Sequence, residues 1–195
     1  MADDRFERAV AAIDAANAED PNTIVVHGVR RPKELAHAEL MSAWVTQLRP
    51  DASDALRLAA RAHHVRRWAL PRSSYPEGRA GYLRWRRELH ERHAADVGAI
   101  LQQVGYDDAT TARVQAIVRK RNLARDPEVQ VLEDALCLVF VETQLDDLAA
   151  KLERPKLLDV VRKTLDKMSA AGRDAALALD LPAGRRELIE EAIRG

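Results

Sequence analysis

Val131-Leu132-Glu133-Asp134-Ala135-Leu136-Cys137-Leu138-Val139-Phe140-Val141-Glu142 reads as a helix with almost no polar face. From Val131 to Val141 only Glu133 and Asp134 are polar. A helix apolar nearly all round has to be enclosed by other elements, so this stretch sits at the centre of a helical core. Asp134 and Glu142 are eight residues apart and fall near one face, two turns along. A carboxylate buried there needs a cation, strong donors or a metal. For Asp134 an ion pair with an arginine and a metal-ligand role both meet that need; for Glu142 the ion pair is the simpler expectation. Cys137 reads as a small core residue.

Helical spacing continues on both sides. Apolar residues recur at intervals of three and four, and Ala and Leu, both strong helix formers, are abundant. The pattern predicts helices over about 4–16, 33–48, 52–69, 79–104, 109–121, 128–152, 156–168, 171–179 and 183–194. Pro127, Pro155 and Pro182 mark helix starts, Pro71 a stop, and Gly105 follows a long helix. Only 22–32 (NTIVVHGVRRP) is β-like, and it is too short for more than an extended segment turning at Gly28. No repeat, low-complexity tract or linker divides the chain. The expectation is one all-α domain over 1–195, with eight or nine helices.

Composition narrows the function classes. The chain has 195 residues, with 31 Lys and Arg against 31 Asp and Glu, and 47% hydrophobic residues. That is a globular composition, neither disordered nor fibrous. The single cysteine excludes a disulfide scaffold and a cysteine-based zinc site. The start, Met1-Ala-Asp-Asp-Arg, has no apolar leader, and the longest strongly apolar run, Leu136 to Val141, is far short of a membrane span. A soluble, cytoplasmic protein without a membrane partner is expected.

Charge is distributed unevenly. Residues 61–93 hold nine Arg against three Glu, and 126–159 hold nine acids against three bases. Two solvated helix faces neutralising each other would account for this, as would a basic region that receives an anion. The other unusual residues favour the anion. His37, His63, His64, His90 and His93 lie in the same third of the chain, as do four of the eight aromatics, between Trp68 and Trp85. That span includes the long polar connection RWALPRSSYPEGRAGY, of a length uncommon unless functional. Because the overall charge is balanced, the basic segment fits a pocket for a small phosphorylated ligand better than an extended nucleic-acid tract. Arg67, Arg72, Arg79, Lys120 and Arg121 are the candidate phosphate holders, and Tyr75 a candidate ring partner.

The histidines also invite a metal. Neighbouring helical residues point about 100° apart, so His63 and His64 share a site only over the edge between their faces. A packing histidine beside a solvent-facing one is the plainer reading. His90 and His93 fall on one helix face, as a shared site or as part of a charged surface.

The order of these elements resembles the HD superfamily of metal-dependent phosphohydrolases. It runs from His37 through Ala62-His63-His64-Val65 and His93 to Leu132-Glu133-Asp134-Ala135. The likeness covers about 33–145 and leaves 153–195 as a C-terminal helical extension. It implies metal ligation by His37, His63, His64 and Asp134, with His93 and Glu142 as further candidates, and hydrolysis of a nucleotide or other small phosphorylated compound. His64 stands where the superfamily has Asp. That departure reduces the expectation to one divalent transition metal, or to a metal-free fold acting as a non-catalytic anion-binding or regulatory module. The whole chain also resembles a family of bacterial and fungal proteins filed as a domain of unknown function and sometimes labelled glutamyl-tRNA synthetase. Lys167-Met168-Ser169 is the only fragment in keeping with that label, and no nucleotide-binding βαβ pattern accompanies it.

Overall fold

The computed structural model describes residues 4–26 and 28–194. His27, within the stretch read as extended, and residues 1–3 and 195 lie outside them. In chain order the elements are α1 (Arg5–Ala18), β1 (Thr23–Val26), β2 (Val29–Pro32), α2 (Lys33–Leu48), α3 (Asp54–Ala62), α4 (Gly78–Val104) and α5 (Asp108–Val118). They continue with α6 (Pro127–Thr143), α7 (Leu145–Ala149), α8 (Arg154–Leu165), α9 (Ala170–Ala178) and α10 (Ala183–Arg194). Two short 3₁₀ turns, Arg67–Ala69 and Arg72–Ser74, shape the connection before α4. The fold is all-α apart from one hairpin. Among the described residues no helix is long and apolar enough to cross a membrane.

The central helix is the expected one. α6 packs against α2, α3, α5 and α9, and Leu132, Ala135 and Leu138 are wholly buried. Its start is fixed by chemistry visible in the sequence. Pro127 begins the first turn, and the Asp126 carboxylate accepts the Glu128 and Val129 N–H groups at 3.0 and 3.4 Å. Arg113 from α5 then pairs with both Asp126 and Glu128 and ties that cap to its neighbour. The 22–32 segment forms a two-stranded antiparallel hairpin, with Thr23 opposite Pro32 and Gly28 at φ +79°.

Three helix ends differ from the sequence expectation. The helix expected over 128–152 breaks at Gln144, giving ten α-helices among the described residues. Thr143 Oγ1 donates to the Val139 carbonyl at 2.7 Å, a back-bond that bends helices, and the break buries Leu145 completely. The helix expected over 52–69 stops at Ala62. Arg66 takes a left-handed conformation (φ 51°), and its N–H is received by Asn17 Oδ1 of α1 at 3.3 Å. α5 ends at Val118 rather than 121, because Lys120 and Asn122 are left-handed as well.

Asp134 decides where the C-terminal helices dock. Its carboxylate accepts the Ser169 hydroxyl at 2.5 Å, the Ser169 N–H at 2.8 Å and the Gln130 amide at 2.9 Å. Ser169 caps α9 by accepting the Gly172 N–H, and Gly172 has no side chain because a Cβ there would stand 2.7 Å from Asp134 Cγ. Asp134→Ala leaves this cap unsupported and is expected to cost about 2–3 kcal/mol of unfolding free energy, read by chemical denaturation.

Candidate metal centre and basic cavity

The early end of α3 builds the site. His63 is the C-cap of α3, still helical in backbone (φ −52°, ψ −35°), and His64 lies in the turn beyond it, so the two rings meet over the edge between their faces. Their rings stand 4.4 Å apart. His37, from α2, stacks on His64 at 4.2 Å with an interplanar angle of 10° and lies 6.0 Å from His63. One ligand nitrogen from each of the three falls within 4.8 Å of the others. His93 of α4 closes the cluster, its ring 5.8 Å from His64.

The protonation of these rings follows from their surroundings. His93 Nδ1 sits 2.8 Å from the Val65 carbonyl, which can only accept; the proton is therefore on Nδ1 and the buried Nε2 is a bare lone pair. Among the described residues, His93 Nε2, His37 Nε2 and His63 Nδ1 have no hydrogen-bond partner. Burial pushes His37 and His93 down to about 3, with the Arg67 charge adding to the effect at both. His63 and His64 are also held well below the usual imidazole range, burial again the main cause. His64 keeps 19% of its side chain exposed at the cavity, which moderates its desolvation. Neutral imidazoles are the form a transition metal binds, and His37 and His63 each offer a ring nitrogen without a partner among the described residues, so the residues present fit such an ion.

Glu34, one turn before His37 on α2, is buried beside them. Its Oε2 lies 3.2 Å from His64 Nδ1, and its Oε1 4.0 Å from Arg67 Nε. Burial raises its carboxyl to about 7, opposed by Arg67 and Lys33.

His63 and His64 also form part of the wall of a cavity of about 310 Å³. Its cations are Arg67, Arg86, Lys120 and Lys167; its rings are Tyr82, Trp85, Phe140 and His90; its one carboxylate is Glu133. Arg67 lies 4.9 Å over the Trp85 ring, and Trp85 Nε1 donates to the Leu70 carbonyl at 2.9 Å, holding the connection to α4. Lys120 and Glu133 form a buried ion pair. Cys137 reaches the same wall, but burial pushes its thiol up to about 12, so it is no nucleophile. Burial, helped by Lys120 and Arg86, brings His90 down to about 4.

The family comparison adds a name to this geometry. The sequence profile described as Domain of unknown function (DUF4202) matches residues 7–189. The chain belongs to that family. No curated protein and no solved structure matches it.

In this DUF4202 chain the predicted site residues divide cleanly. His37, His63 and His64 come together with His93 beside them, and Arg67 and Lys120 reach the cavity. Asp134 does not join the histidines, because Ser169 and Gln130 take its oxygens on the side of α6 that meets α9. Glu142 accepts the Trp44 indole N–H at 3.0 Å, where an ion pair was expected. Arg72 spends its guanidinium on the Tyr75 and Pro76 carbonyls at 2.9 Å, and Tyr75 donates to Glu88, so both brace the connection. Arg79 and Arg121 are exposed and do not line the cavity. Sequence reading missed Glu34, Arg86, Glu133 and Lys167; for Glu34 the i, i+3 spacing to His37 was the available signal.

Two predictions come from this site. Lys120 and Glu133 keep 8% and 6% of their side chains exposed. Lys120→Met or Glu133→Gln alone should cost about 3–5 kcal/mol by stranding the other charge, whereas Lys120→Met combined with Glu133→Leu should recover most of it in denaturant titrations. The second concerns pH. The buried histidines are neutral when folded and titrate near 6.5 when unfolded, so below 6.5 the unfolded chain binds more protons. Stability is therefore present above that pH and lost as pH falls towards 3 to 4, while Glu34, raised when folded, opposes this by less than one proton. Metal-free protein at pH 5 should take up on the order of three to four protons on unfolding, measurable as the slope of stability against pH.

Proposed function

We propose that this chain is a metal-dependent phosphohydrolase with one metal, acting on a nucleotide or other small phosphorylated compound. The observation that carries this reading is the set of three neutral imidazoles, with ligand atoms within 4.8 Å of one another, two of which, His63 and His64, stand at the wall of a basic, aromatic-lined cavity. His37, His63 and His64 would hold the metal. Once bound there, a divalent ion supplies Lewis-acid polarisation of a phosphoryl oxygen and lowers the pKa of a coordinated water.

The chain's own groups do the rest. Arg67 and Arg86 present guanidinium forks to phosphate oxygens, and Lys167 adds a point charge. Trp85 and Tyr82, with ring centroids 5.9 Å apart, offer an apolar face to a base or ring at the cavity mouth. The order His37, His63-His64 on an all-helical scaffold supports a likeness to the HD superfamily. His64 in place of Asp, and Asp134 turned away to Ser169, favour one metal over two.

A second reading is a non-catalytic anion-binding module. It is favoured by one observation: the cavity's only carboxylate, Glu133, is tied to Lys120.

The test is elemental analysis of protein purified without chelators or a histidine tag. The expected result is about one equivalent of a transition metal per chain, lost in His63→Ala, retained in Asp134→Ala, and accompanied by hydrolysis across a phosphomonoester panel. Protein that carries no metal and takes none up on soaking, yet binds inorganic phosphate, overturns the hydrolase in favour of the module.

A further inference from the structure

We infer that Glu34 is the carboxylate of the metal centre, a positioning residue that orients His64 and supplies the negative charge three neutral imidazoles lack. This rests on the reading of His37, His63 and His64 as the metal ligands.

A carboxylate on the first turn of a helix is ordinarily solvated, where it complements the N-terminal dipole at little cost. Glu34 is instead 4% exposed. It is fixed from below, since its own N–H donates to Asp20 Oδ2 at 3.0 Å, and Asp20 also receives the Asn22 backbone and side-chain N–H groups. Its side chain is held one turn from His37 and directed at His64.

What Glu34 meets there is incomplete. Oε2 has no hydrogen-bond partner among the described residues, and the group 3.2 Å away is the His64 imidazole. Arg67, the nearest full positive charge, stands at 4.0 Å, beyond hydrogen-bond reach, with its guanidinium over Trp85 and Nη1 3.5 Å from His64 Nε2. A carboxylate only 4% exposed, with no hydrogen bond to Oε2 among the described residues and its nearest guanidinium at 4.0 Å, is under-compensated. A divalent ion held by His37, His63 and His64, taking the place of the Arg67 contact at His64 Nε2, would remove the deficit. It also gives the arrangement in which a ligating histidine donates its other N–H to a carboxylate.

The composition of the centre then narrows the metal. Three imidazoles with an outer carboxylate suit a borderline divalent transition ion such as Zn(II), Co(II) or Fe(II). With no thiolate or thioether among the ligands, Cu(I) is disfavoured; with nitrogen donors dominant, so are Mg(II) and Ca(II).

The experiment compares native full-length chain, Glu34→Gln and Glu34→Asp. Zn(II) affinity is read by chelator competition, the Co(II) absorption spectrum is recorded, and metal-free melting temperatures are measured. The expected result for Glu34→Gln is affinity about 10–100-fold weaker, an altered Co(II) spectrum and a metal-free melting temperature at least as high as native. Glu34→Asp, which keeps the charge on a shorter arm, should fall between the two and stands in if the Gln variant does not fold. Native affinity and spectrum in both variants, with or without a lower melting temperature, overturn the assignment and leave the three-histidine site intact. Failure of the native chain to bind Zn(II) or Co(II) overturns both together.

Discussion

An imidazole nitrogen taken out of water without a partner loses its hydration and gains nothing in return, and this fold does so at His37, His63 and His93 in one place. Much of the surrounding structure makes that arrangement possible. α3 ends at Ala62, and the histidine pair occupies its C-cap and the first residue beyond. The left-handed Arg66 that follows it is stabilised by Asn17, and the Val65 carbonyl in the same turn fixes the His93 tautomer. A single four-residue turn, 63–66, thus stops a helix, presents two rings and orients a third. In an ordinary core these positions would be filled by Leu or Val at no such cost, which is the physical ground for reading the cluster as a site.

Arg67 connects the cluster to the cavity. It lies over Trp85, within 3.5 Å of His64 and 4.0 Å of Glu34, and lines the space where an anion would enter. The arginine-rich connection serves a different purpose from the one its composition suggests. Arg72 and Tyr75 hold the 3₁₀ turns against the start of α4, and Gly81 allows that closeness, since a Cβ there would lie 2.0 Å from the Pro76 carbonyl oxygen. The cavity wall itself draws on both kinds of element, with Trp85 and Arg86 from α4 and Arg67 from the first 3₁₀ turn of the connection.

Much of this was legible in the sequence. The all-round apolar helix at 131–141, the proline starts and the clustering of histidines needed only periodicity and composition, and α2 and α4 lie almost where spacing puts them. Less legible were features set by tertiary partners. Nothing local announces that Arg66 will be left-handed, because Asn17, which stabilises it, is far away in sequence. Asp134 looked like a ligand because it is an acid in an apolar helix; its partner, Ser169, is a neutral residue 35 positions away. Burial of an acid can be foreseen from its own helix, but the identity of what meets it cannot.

Lys120 shows where a local rule is broken for the sake of the site. α4 and α5 close with the same pair of backbone hydrogen bonds: Gly105 to Gln102 and Tyr106 to Leu101 in one, Lys120 to Ile117 and Arg121 to Ala116 in the other. The left-handed position is glycine at the first (φ 94°) and lysine at the second (φ 55°). An L side chain there costs roughly 1–2 kcal/mol, and glycine would remove the strain. Burying the ammonium against Glu133 adds desolvation that an apolar pair would avoid. Neither helix closure nor core packing calls for a lysine at this point. What the lysine does provide is a positive charge on the wall shared with His63, His64 and Arg67, held by a backbone that has no freedom to withdraw it. The strain at Lys120 and the unpartnered nitrogen of His63 therefore meet on one wall, where local stability is given up to keep a cation and an imidazole facing the same cavity.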